Sequence, residues 1–450
     1  MSILEKNSDI HRKIELFFII FILFQPILDL LAFIGLPLST PIRALAMLIG
    51  FIYILFKPGL KHKKKAMIYI FILGFLMLIN LITTFMFRQE FSLTVEIEYI
   101  IKTTYVILMV MIYTYIFKAF SEREDWQRII QKYVSIALSM IGAVMVIAEL
   151  TDTGKRSYNA LAKAGHSGWF FSANELSAIL AMGLGIILLY FISSKVLTRK
   201  MIMLPFLFFI LWSMLTIGTK VGLIAMLIVL ATVLVITLID FIKNRKKWHN
   251  LVLVSVLAVF SVFMIPNTAI GNNLDTKVLD LFQFNNPEKQ GLDQEKENIE
   301  KQPSAEEVRK VLLSGRGDYL ANQWEHYDDA PMMQKVFGMG RMPKLVEMDF
   351  FDYFFNFGVV GLITLFAPFI FIGFIILRNI WKSKFALLNR TTMIFGIGAG
   401  LGLGIAFAAG HILSAPASGY YLALLLSFLY VYTDKYKNAP KDEMKEEVNK

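Results

Sequence analysis

The sequence predicts an all-α, polytopic integral membrane protein: about twelve transmembrane helices and one long extracytoplasmic loop that contains short helices. Three observations carry this. Of the 450 residues, 56% are hydrophobic and the mean hydropathy is +0.59, whereas a soluble domain is about 45–50% apolar. The apolar residues gather in runs long enough to cross about 30 Å of hydrocarbon. The short connections between runs alternate between rich and poor in lysine and arginine.

In chain order the runs are Ile14–Leu36, Thr40–Phe56, Ala66–Phe87, Tyr99–Phe117, Tyr133–Leu150 and Ala173–Ile192. They continue with Met201–Ile217, Val221–Ile242, Leu251–Pro266, Tyr353–Leu377, Met393–Leu413 and Ala417–Thr433. The seventh and eighth are divided only by Gly218, Thr219 and Lys220. The first is of spanning length and has no small-residue cleavage site, so it is expected to stay in place as a signal anchor. With both termini in the cytoplasm, 28 of the 45 lysines and arginines fall on the inner face, the asymmetry that orients membrane proteins. The net charge of +10 then reflects loop positives, not nucleic-acid binding. Four segments follow: an N-terminal bundle of about nine spans over 1–266, an extracytoplasmic loop over 267–352, C-terminal spans over 353–433 and a cytoplasmic tail over 434–450.

The long loop reads in two parts. Glu288–Lys310 is polar and almost without apolar residues, the composition of a mobile insert. From Val311 onward apolar residues recur at helical spacing (Leu312, Tyr319, Leu320, Trp324), which predicts short helices against the bundle. In the eleventh run Gly396, Gly400 and Gly404 recur every four residues, beside Gly398 and Gly402. That spacing permits close helix approach and carries no chemistry.

Charge at the edges of the apolar runs marks the candidate site. Arg43, Lys102 and Lys220 sit just inside the outer boundary, where a cation must line a cavity, meet a partner or snorkel. Lys102 has Glu98 one turn away. Glu175 opens the sixth run on the same face, while Asp240 marks the inner interface. The loop adds Arg316, Arg341, His326 and the acids Glu347, Asp349 and Asp352. If the helix has begun by then, Asp349 and Asp352 share a face. Cations in a partly dehydrated cleft suit a phosphate or diphosphate, and adjacent carboxylates can take a proton from an attacking hydroxyl. No HExxH or phosphate-binding glycine loop occurs, there are no cysteines, and the six histidines are scattered. No metal site and no cofactor are expected.

Several short motifs resemble those of the O-antigen ligase/polymerase superfamily. They are Pro37 to Arg43 (PLSTPIR), Phe171 to Leu176 (FSANEL), Leu215 to Lys220 (LTIGTK) and Ser314 to Arg316 (SGR). Gly338 and Gly340 follow, then the acidic triplet with Gly358 and Gly361. The resemblance implies a transferase at the outer face of the cytoplasmic membrane, polymerising or ligating glycans carried on polyprenyl diphosphate. Its surroundings would be membrane lipid, and its partners a chain-length regulator or other glycan-assembly proteins. It also implies that Arg316, Lys220, Arg43 and Arg341 hold the diphosphate. Two positions depart from the family pattern: Lys220 stands for the usual arginine, and the re-entry into the membrane is acidic where ligases often have histidine. The expected base is Asp349, then Glu347, with Glu175, His326 and Asp352 as further candidates, and polymerase is favoured over ligase. A lipid-linked oligosaccharide flippase or other transporter is the alternative, although two related halves are not evident. A non-catalytic assembly protein is a second.

The orientation predicts that single cysteines at Asn272 and Lys437, on this cysteine-free background, react oppositely with an impermeant thiol reagent in intact cells. Labelling at position 437 and protection at 272 would reverse the topology.

Overall fold

The computed structural model describes residues 3–88, 90–158, 164–274 and 316–438. The polar insert Glu288–Lys310, Val311 and Leu312, and Ser314 of the SGR motif lie outside these residues. The helices are α1 (Ile3–Phe33), α2 (Ser39–Phe56), α3 (Lys63–Phe87), α4 (Leu93–Phe120), α5 (Trp126–Leu150), α6 (Ala173–Ser193), α7 (Leu197–Thr216), α8 (Lys220–Lys243) and α9 (Trp248–Met264). After these come the short α10 (Ala269–Asn273), α11 (Arg316–Asp328) and α12 (Met332–Phe337), then α13 (Asp349–Lys382), α14 (Arg390–Ala408) and α15 (Pro416–Tyr436). The chain is an all-α membrane protein, and α11 falls where the spacing of Tyr319, Leu320 and Trp324 places a short helix.

Among the described residues, eleven helices are long and apolar enough to cross a membrane: α1 to α9, α13 and α14. The twelfth expected span, α15, forms as a 21-residue helix but is more polar, with five tyrosines. Its position explains the difference. Seventeen of its residues are buried, packed against α4, α6, α13 and α14, so it faces protein where the outer helices face lipid. There a tyrosine hydroxyl can be paired internally, as Tyr420 is with Tyr113, which also donates to the Phe18 carbonyl at 2.9 Å. Helix α6, also buried at seventeen of 21 positions, completes the centre.

Apolar burial drives helices together weakly in lipid, so close packing and polar contacts must do it. The glycines of α14 serve this, but not the expected set. A methyl group on Gly398 would come 2.8 Å from the Met182 carbonyl and one on Gly402 2.6 Å from the Met182 sulfur. Gly396, Gly400 and Gly404 have nothing within 4 Å. The row of three faces outward, and the flanking pair makes the α6 contact.

Helix α13 is broken at Gly358, with φ 68° and ψ −177°, a region only glycine occupies without strain. The carbonyls at the break are taken up by neighbours. Buried Asn80 of α3 donates to Phe337 at 2.7 Å and to Asn356 at 2.8 Å. The backbone N–H groups of Met339 and Gly340 donate to Phe355 and Asn356, both at 3.0 Å. The Asn356 amide donates to the Tyr99 hydroxyl at 2.7 Å, and its oxygen accepts from Met342 at 3.1 Å. This network fastens the loop after α12 to α3, α4 and α13.

A methyl group at 358 would also lie 2.4 Å from the Val336 carbonyl oxygen. Gly358→Ala should therefore lower unfolding stability by about 3 kcal/mol, from backbone strain and steric conflict together. Denaturant unfolding in detergent measures this, and an unchanged midpoint would contradict the need for the break.

Candidate active site at the loop end of the bundle

One end of the bundle gathers the C-terminal end of α1 and the N-terminal ends of α2, α4, α6, α13 and α15, beneath α11 and α12. The start of α13 organises it. Asp352 turns back to accept the Val346 N–H at 2.7 Å and the Met348 N–H at 3.2 Å, satisfying amides that a helix start leaves open. Asp349 is fully buried and reaches the other way, to the segment between α14 and α15. Its carboxylate accepts from the backbone N–H groups of His411 (3.0 Å), Ile412 (2.7 Å) and Leu413 (2.8 Å), and from the Ser414 hydroxyl (3.0 Å). The helix has begun by Asp349, but the two acids serve different stretches of backbone.

Glu347 lies two residues before Asp349, with its side chain half exposed. It has a positive φ of 63°, and its carbonyl crowds Gly410, where a methyl group would come within 2.2 Å. Gly410, with φ 64°, is what lets the α14–α15 segment approach so closely. One Glu347 oxygen accepts from Arg316 at 3.1 Å, and the other lies 4.0 Å from His411 Nε2. The second contact is a charge pair at longer range than a hydrogen bond. His411, ahead of Arg316, holds the Glu347 carboxyl below its usual range. In return Glu347 raises the imidazole above its usual 6.5 against the opposing effect of burial, and Asp349 and Glu175 add to the rise.

His411 also borders a cavity of about 360 Å³, whose charged lining is Asp29, Arg43, Glu98, Lys102, Glu175 and Arg341. Arg43 is buried, and each of its three guanidinium nitrogens is bonded to a side chain. It donates to Asp29 at 2.7 Å, to Gln25 at 3.2 Å and to Ser39 at 2.6 Å. Lys102 pairs with Glu98 at 2.5 Å and stays partly exposed, as their spacing predicts. Arg341 presents an exposed side chain to the cavity while its backbone is clamped. Its N–H donates to Glu96 at 3.0 Å and its carbonyl accepts from Arg88 at 2.7 Å. Glu175 follows the N-cap Ser172 of α6 and lies within the electrostatic reach of His411, Arg43 and Asp29.

The structure thus brings Arg43, Glu175 and Arg341 to one cavity, with Arg316 and Glu347 behind His411. It does not bring Lys220 or His326 there. Lys220 opens α8 beside the Gly218 turn, which Asn273 of α10 fastens at 2.9 Å, and it is absent from the cavity lining. His326 lies exposed on α11. Two site residues are not singled out by the sequence, Asp29 and His411. An acid inside the first apolar run and a histidine at the close of the eleventh are the signals that mark them.

A bundle of membrane-crossing helices with a charged cavity at one end defines the class as a polytopic membrane protein. A family model described as O-antigen ligase like membrane protein matches residues 11–436, and the chain belongs to that family. No curated protein matches it. Membership makes it a multi-pass membrane enzyme that processes lipid-linked glycans.

Removing the Asp349 carboxylate strands three backbone N–H groups and a hydroxyl. Asp349→Ala should cost about 3–5 kcal/mol, the scale for deleting an acceptor that buried donors share, and Asp349→Asn less, because one oxygen remains. Unfolding in detergent tests this, and a wild-type midpoint for Asp349→Ala would contradict the clamp.

Proposed function

We propose that the enzyme transfers a glycan from a polyprenyl diphosphate to a sugar hydroxyl, polymerising or ligating surface polysaccharide at the outer face of the cytoplasmic membrane. The observation that supports this best is the convergence of a histidine–carboxylate pair with a cavity walled by Arg341, Lys102 and Arg43. In the reaction the acceptor oxygen attacks the anomeric carbon, and the bond from that carbon to the phosphate oxygen breaks. The diphosphate leaves with the electron pair. Arg341 and Lys102, the cations with exposed ends, stabilise its growing charge. Arg43 is buried, with each nitrogen already bonded to a side chain, so it shapes the wall.

His411 takes the proton from the hydroxyl. A base needs a free lone pair aimed at the substrate, and His411 borders the cavity. Asp349, the first expectation from the sequence, has its lone pairs filled by four donors, so in this reading it positions His411. Glu347 orients the imidazole and raises its proton affinity, and Arg316 holds Glu347. Asp352 fixes the backbone just before α13, Glu175 lines the cavity, and Lys220 and His326 lie outside that lining.

Proteoliposomes given a labelled polyprenyl-diphosphate oligosaccharide should form glycosidic bonds and release polyprenyl diphosphate in equal amounts. Movement of the oligosaccharide across the bilayer without bond formation would overturn the proposal. His411→Gln should slow transfer by about 10²–10⁴-fold. The neutral imidazole is the active form, so the rate should rise with pH through the raised value of His411, above 6.5. Glu347→Gln removes the main cause of that rise, so its acid limb should move to lower pH. An unmoved limb would rule out His411 as the base.

A further inference from the structure

The opposite end of the bundle holds a second charged cavity that the glycan chemistry does not use. It has a volume of about 540 Å³ and is lined by Lys195, Lys200, Lys246, Lys247, His249 and Arg390. It lies among the C-terminal end of α6 and the N-terminal ends of α7, α9 and α14. Helix α6 alone places it about 30 Å from the His411 cavity, at 1.5 Å per residue over its length. Part of the site is built into the bundle. Lys200 is buried at 7% exposure and donates to Asn250, whose amide donates to the Ile192 carbonyl at 3.0 Å. Lys246 and His249, by contrast, are exposed. One acid faces the cluster among the described residues: Asp240 lies 3.4 Å from Lys247 and 3.8 Å from Arg390. The cations outnumber it heavily.

Holding these cations together costs energy unless an anion joins them. The helix N-termini that open on the cavity add partial positive charge. A basic pocket between helices at headgroup depth on the cytoplasmic side suits a phosphate-bearing group, and loop charge assigns this end to that side. We propose that this cavity binds a phosphate group, with Lys200 and Arg390 at its inner wall and Lys246 and Lys247 at its mouth. The chemistry is shared by an anionic lipid headgroup and by a soluble phosphate ester.

The test uses full-length protein in detergent. Native mass spectrometry measures retention of phosphatidylglycerol against phosphatidylcholine, and thermal shift measures binding of glycerol 3-phosphate. Lys246→Gln with Lys247→Gln should weaken binding about 30-fold, from roughly fivefold per lysine near a headgroup. His249→Glu, a single exposed change, should weaken it in the same direction if the double variant folds poorly. Lys64→Gln with Lys65→Gln, at the same end but outside the cavity, should leave it unchanged. Loss of selective phosphatidylglycerol retention in the pocket variants identifies a lipid, and loss of the glycerol 3-phosphate shift identifies a soluble ester. The proposal is overturned if wild-type protein binds neither, or if the Lys64/Lys65 control loses as much as the pocket variants.

Discussion

The buried Asp349 carboxylate is the interaction on which the site depends. A segment with no helical hydrogen bonds of its own, placed at the edge of the hydrocarbon, must find partners for its N–H groups. Asp349 supplies them for His411, Ile412 and Leu413. The cost of burying its charge is offset by four donors in good geometry. Because the carboxylate sits on the first residue of α13, it ties the α14–α15 segment to the point where the long loop re-enters the bundle. Gly410 permits the close approach, and His411 is carried to Glu347 as a consequence.

From that point charge alternates through the protein. Arg316 meets Glu347, Glu347 faces His411, and His411 lies within reach of Glu175. Glu175 in turn feels Arg43, which is bonded to Asp29. Buried Arg43 has an opposite charge beside it in Asp29, and His411 has one in Glu347, which is how ionisable groups persist at membrane depth. The arrangement also divides the labour. Buried groups held by three or four partners, Arg43 and Asp349, define shape. Groups with exposed or unfilled positions, Arg341, Lys102 and His411, are left to meet a substrate.

The helices are legible in the sequence because a long, nearly uncharged apolar run is stable chiefly as a helix in lipid. Helix α15 shows where that signal weakens, since a helix surrounded by protein does not need an apolar surface throughout. Arg43 and Glu175 stand out because each is a charge beside an apolar run, and Arg341 and Glu347 because the loop carries them toward its re-entry. Roles are harder to read than positions. Asp29 and Arg43 belong to successive helices and are fourteen residues apart, a separation with no periodic meaning. In the sequence His411 is one of six scattered histidines, because its relation to Glu347 depends on a contact between segments far apart in the chain. The direction of the Asp349 carboxylate, toward backbone and away from the cavity, depends on the same contact. Lys220 shows the converse, a motif position that the fold keeps at a neighbouring turn.

In the proposed reaction Asp349 acts through His411 and not as an independent base. A double-mutant cycle on the rate of glycan transfer tests it, using Asp349→Asn, His411→Gln and the two combined, each normalised to folded protein. If Asp349 only positions the imidazole, the double variant transfers glycan at the rate of His411→Gln alone, since groups that act as one unit are not additive. Losses that multiply in the double variant would show that Asp349 contributes on its own, and would contradict the account.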